Sequence, residues 1–188
     1  MDIKLKAHIA NERISDGLLE AMNAINQINE ASDEKITLDF SDVGFVTPLY
    51  ILPLVVFLNG CSKDITITNV SEYLQTIGFT NGMQPDKMRK SEFLAIIEKY
   101  SRKTYIPIVS FPTTRDSDDE KDAILSTVES IIERQLDLTS NIAIGLKYML
   151  GESIDNIIQH ANSERGYIFA HSYPGKGYLE ICIADSGI

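Results

Sequence analysis

Apolar and polar positions along this chain switch between a two-residue rhythm and a three-to-four-residue rhythm, the signatures of strand and helix. Ile3 to Ile9 has the pattern of a strand, Gly17 to Asn29 of an amphipathic helix and Lys35 to Phe40 of a buried strand. Leu49 to Asn59 is apolar throughout, which suits a buried helix, and Ile65 to Asn69 is a third strand. Ser71 then offers an N-cap and Gly78 a stop for a short helix. After the turn-forming Asn81-Gly82-Met83-Gln84-Pro85, the residues Phe93, Leu94, Ile96, Ile97 and Tyr100 give Ser91 to Tyr100 an apolar helical face. Thr104 to Phe111 is a strand interrupted by Pro107, and the polar run from Pro112 to Glu120 leads into a helix from about Asp119 to Leu136. Strands alternating with helices predict an α/β protein, α+β overall, with sheets covered by helices.

The last fifty residues add chemistry to this pattern. Leu146, Leu150, Ile154, Ile157, Ile158 and Ala161 line one side of a helix spanning Ile142 to Ala161, and Glu152, Asp155, Asn156 and Gln159 lie on the other. Glu152 and Asn156 are one turn apart on the same face. A carboxylate can orient or deprotonate a water, and an amide oxygen is a hard neutral ligand of the kind Mg2+ accepts beside waters and phosphates. Taken alone, the same residues also suit the solvated face of an amphipathic helix. The strands Gly166 to Ser172 and Gly177 to Ala184 follow, joined by a turn at Tyr173-Pro174-Gly175-Lys176, and Asp185-Ser186-Gly187 ends the second.

This helix–strand–strand order with its two motifs resembles the GHKL superfamily, the histidine-kinase-like (HATPase_c) ATPases. Glu152-x-x-x-Asn156-x-x-x-His160-Ala161 falls on that family's N box, and Asp185-Ser186-Gly187 on the start of its Asp-x-Gly-x-Gly box. The resemblance implies ATP and Mg2+ as cofactors, with Asn156 as the Mg2+ ligand and Glu152 as the catalytic base or water-positioning carboxylate. By the same resemblance Asp185 accepts the adenine amino group, and Gly187 lets the backbone pass close to the base. A second Gly, a lid and a glycine-rich phosphate loop do not follow within these residues, so the chain is expected to bind ATP weakly or not at all.

The first eighty residues resemble a STAS domain. The residues that support this are Ile36 to Val43 followed by Phe45-Val46-Thr47-Pro48-Leu49, and Asn69-Val70-Ser71 to Gly78-Phe79. In that family a Ser or Thr before the helix is phosphorylated. The equivalent position here falls at or near Leu49, and Thr47 better suits an N-cap before Pro48. The predicted division is therefore a STAS-like regulatory domain at 1–82, a connecting helix at 83–103, and an incomplete histidine-kinase-like ATP-binding domain at 104–188. His8 and His171 fall in strands and His160 follows the N box as a core-facing or capping residue. None sits on a dimerisation helix of the kind that carries a phosphoacceptor.

Composition narrows the function further. A net charge of −10 argues against nucleic acid, which needs a cationic surface, and the one short cluster, Lys87-Met88-Arg89-Lys90, suits a helix start. Leu49 to Leu58 is too short to cross a bilayer, so no membrane role is expected. Cys61 and Cys182 have no metal-binding spacing and predict a reduced cytoplasmic protein in which both are small core residues. Together the two resemblances imply an ATP-binding signal-transduction regulator acting on a protein partner, of sigma-factor type or another regulator, and leave room for a homodimer. The alternatives are a non-catalytic interaction module that keeps the ATPase fold, and an unrelated α/β protein.

Overall fold

The computed structural model describes residues 1–6, 14–113, 118–136, 140–160 and 162–187. Its first layer is a parallel sheet with the strands side by side in chain order: β1 (Asp2–Lys4), β2 (Lys35–Asp39) and β3 (Asp64–Thr68). Parallel neighbours need crossover connections. Helices α1 (Ile14–Glu30) and α2 (Pro48–Gly60) fall in those two crossovers and pack against each other. The strand expected at Ile3 to Ile9 is described only to Lys6, and His8 lies outside the described residues. The short helix α3 (Glu72–Thr76) begins as the sequence predicts, with Ser71 Oγ accepting from Leu74 N at 3.3 Å.

The second sheet is antiparallel, in the order β4 (Tyr105–Pro112), β5 (Arg165–Tyr173) and β6 (Tyr178–Asp185). Helices α4 (Lys90–Tyr100), α5 (Asp118–Leu136) and α6 (Ser140–His160) cover one of its faces. Phe93, Ile97, Ile124, Val128, Ile132 and Ile154 of these helices form one core with Ile106, Val109, Phe111, Ile168 and Ala170 of the strands. The fold is thus mixed α/β with one parallel and one antiparallel sheet, as the alternation of periods predicts.

The opposite face of the second sheet is covered by α2. A helix that is apolar on every side has to be buried on every side, and α2 meets this by lying between the two sheets. Tyr50, Ile51, Leu52, Leu54 and Val55 are each 0% exposed. Ile3, Ile36 and Leu38 of the first sheet share their cluster with Ile108, Tyr167 and Phe169 of the second, so one core spans both halves.

The segment predicted as a connection packs on the second sheet. Met83 N donates to Ile108 O at 2.7 Å and Ser110 N to Met83 O at 2.9 Å, which covers the free edge of β4. Gly82 is needed at this crossing: its φ is +68°, and a Cβ would lie 3.1 Å from Ile108 O. The interruption expected at Pro107 is a register shift between Ile106 and Val109 against β5. Proline has no N–H for the ladder and is tolerated at such a bulge. The shift lets Ile106 and Val109, three residues apart, both face the helical layer.

Candidate functional site

The sequence motifs meet where α6 crosses the end of β6. Along β6, period two sends Leu179, Ile181 and Ile183 to the helical side and Cys182 and Ala184 toward α2. Leu150, Ile154 and Ile157 of α6 are buried against the helical side, and Leu146 and Ile158 pack at its margin; Ala161 lies outside the described residues. Two pairs hold α6 to α5: Lys147 Nζ to Glu129 Oε2 at 2.8 Å, and a close Lys121–Asp155 contact. Asp155 therefore faces α5, while Glu152, Asn156 and Gln159 are exposed.

Between α6 and β6 lies an open cleft of about 460 Å³, walled by Leu150, Ser153, Asn156, Ile157, Ile181, Ile183 and Asp185. Asn156 and Asp185 are thus brought to one site. Glu152 is one turn before Asn156 on the exposed surface and is not part of the wall. Gly187 donates its N–H to Asp185 Oδ1 at 2.6 Å, a turn that fixes the carboxylate. Gly187 itself walls a different cavity, on the α2 side of β6.

The donor set fits the base of a nucleotide better than an isolated metal. Four aliphatic side chains beside a hydroxyl, an amide and one carboxylate can meet an amino-bearing ring. Among the described residues no three His, Cys, Asp or Glu side chains converge as a metal site. A cation bound by Asn156 would need its remaining ligands from phosphate and water.

A second polar cluster lies between the halves and was not predicted. Glu180, 6% exposed, accepts from Leu49 N at 2.7 Å and so caps the N-terminus of α2 from across the sheet. Thr47 does occupy the N-cap position, but its hydroxyl makes no cap bond and is buried without a hydrogen-bond partner. The carboxylate oxygen takes the donor that the hydroxyl was expected to take. Around it, Phe45 stacks on Tyr73 at 4.9 Å between centroids and lies 5.4 Å from His171, which is 4.6 Å from Tyr173. Burial lowers the His171 pKa to about 4 and raises those of Tyr73 and Tyr173. The one sequence signal was a charged residue between Leu179 and Ile181 in an otherwise apolar strand.

Of the two roles expected for His160, facing the core is not the one it has: it is exposed in the last turn of α6. Cys61 and Cys182 are both free and packed at the margin of the shared core, as expected of small core residues. Among the described residues no helix is long and apolar enough to cross a membrane. Comparison with protein families, curated proteins and solved structures finds no match in any of the three.

Proposed function

We propose that the second sheet and α6 form the base-binding part of an ATP site of the GHKL type, in a cytoplasmic signalling regulator whose first layer is a STAS-like module. One observation supports this above the others: Asn156 and Asp185, far apart in sequence, wall a single cleft with an aliphatic floor. In this reading Asp185 accepts from the adenine amino group, Ile181 and Ile183 lie against the ring, and Asn156 holds Mg2+ beside the phosphates. Mg2+ would supply charge neutralisation there. Glu152, one turn away, is placed to orient a water.

The test is an NMR titration of the chain with Mg2+ and ATP. Binding is expected to be weak, with a dissociation constant on the order of 1 mM, and to shift the amides of Asn156, Ile181, Ile183 and Asp185. Asp185→Asn should weaken binding about tenfold through loss of a charge-assisted hydrogen bond, and Glu152→Gln should leave it unchanged. Unmoved cleft amides, or equal shifts with GTP, would remove the reading.

A second reading, a protein-interaction module without turnover, is favoured by the first half of α6. Ile142, Ile144, Tyr148 and Met149 are 55%, 59%, 70% and 64% exposed, and exposed apolar side chains of this size are used at interaction sites. Tyr148→Glu would then abolish partner binding while Asp185→Asn left it intact.

A further inference from the structure

The largest of the described cavities, about 570 Å³, is not the α6–β6 cleft but lies on the other side of β6, between α1 and the C-terminal half of α2. It is built from helix periodicity. Pro53, Val56, Phe57 and Gly60 wall it at steps of three and four, so one stripe of the all-apolar α2 faces the cavity. Met22, Ile25 and Asn29 present the matching stripe of α1, and the turn from Ala184 to Gly187 closes the third side. Its size is that of ordinary small-molecule sites.

The charges around it select the ligand. Of the wall residues only Lys63 and Asp185 are charged. Lys63 Nζ donates to Ile28 O at 2.5 Å, Asn29 O at 3.2 Å and Ala31 O at 2.7 Å, closing the C-terminal end of α1. An ammonium has three donors, and these three carbonyls take them, so no N–H of Lys63 is left to bond an anion although its charge remains. The other charged wall group is the Asp185 carboxylate, with the amide of Asn29 and the hydroxyl of Ser186 as neutral polar groups.

We infer that this cavity is a binding site for a small ring-bearing amphiphile that is uncharged or cationic, its ring between the α1 and α2 stripes and its polar end toward Asp185 and Ser186. Such a ligand is distinct from ATP, which the triphosphate excludes here. Because Asp185 walls both cavities, an occupant would sit directly beside the α6–β6 cleft.

Cys61 lies in the wall and allows a direct test by disulfide trapping on the full chain. Fragments sharing one thiol linker would carry a neutral aromatic ring, an amine-bearing ring or a carboxylate-bearing ring of the same size. Neutral and amine-bearing rings are expected to resist about tenfold more reductant than the carboxylate series, the gain from burying one ring. Cys61→Ser should abolish capture, since burial raises the Cys182 thiol to about 12 and keeps it silent. Gly60→Trp, at a position where an added Cβ meets nothing within 4 Å, should fill the cavity and erase the preference while circular dichroism shows the fold intact. Equal capture of all three series, or a preference that survives Gly60→Trp in folded protein, would overturn the inference. Nucleotide binding is told apart by the amides of Ile181 and Ile183, which lie on the other face of β6 and wall only the α6–β6 cleft.

Discussion

Glu180 ties the second sheet to the start of α2 through its bond from Leu49 N. Glu180→Ala strips the acceptor from a buried N–H and should cost about 2–3 kcal/mol by urea denaturation. Glu180→Gln, which keeps an amide oxygen for Leu49 N, should cost clearly less; equal losses would show that charge and not hydrogen bonding matters. His171 makes a pH prediction. Its folded pKa of about 4 lies below the unfolded value near 6.5, so the unfolded state binds more protons between those limits. Stability from this group is complete above about pH 6.5 and falls as pH drops toward 4. By pH 5 the loss should be about 1 kcal/mol once partial solvent screening is allowed for. His171→Phe should flatten that limb relative to the native protein in denaturant midpoints taken from pH 7 to 5. Asn156 and Asp185 were singled out by the family resemblance, and the structure sets both in the wall of one cleft. Glu180 was not singled out, because period two says which way it points but not that a helix N-terminus stands opposite.

At the scale of elements, β5 depends on a residue with no side chain. Gly166 pairs with Phe111 across the ladder, and a Cβ there would lie 2.4 Å from the Phe111 ring and 3.1 Å from Ile157 Cγ2. Gly166→Ala is therefore expected to destabilise by about 2 kcal/mol through overpacking. Adding Phe111→Leu should recover part of the loss in thermal melting, and an additive double variant would mean that the two sites do not touch. The elements themselves were legible because each carries its own period: α2 as an unbroken apolar run, α6 as an amphipathic stripe, β5 and β6 as strands around a Pro-Gly turn. The bulge in β4 was legible only as an interruption at Pro107. Its consequence, Ile106 and Val109 on one face, needs the neighbouring strand.

At the scale of the molecule, one core joins residues that a division at 83–103 would separate. Phe169 and Tyr167 are buried with Leu38 and Ile51, and α2 is covered on its second side by β5 and β6. The whole chain should melt in a single transition by both near- and far-ultraviolet circular dichroism. Residues 1–82 produced alone would leave that side of α2 in water, and the exposed apolar area should prevent a cooperative melt. A sharp transition in the isolated 1–82 segment would show that the first layer is stable without the second.

The sequence by itself determined the strands and helices, the α/β class and the order of elements that sets Asn156 and Asp185 at a helix and a strand end. These follow from local periodicity and turn chemistry, which act within a few residues. Tertiary structure alone decided that α2 lies between two sheets, that Glu180 and not Thr47 caps it, and that β6 has a cavity on each side of its end. Those outcomes depend on which surfaces meet across long stretches of chain. Period and composition state how much apolar surface an element must bury, and only the packed fold states against what.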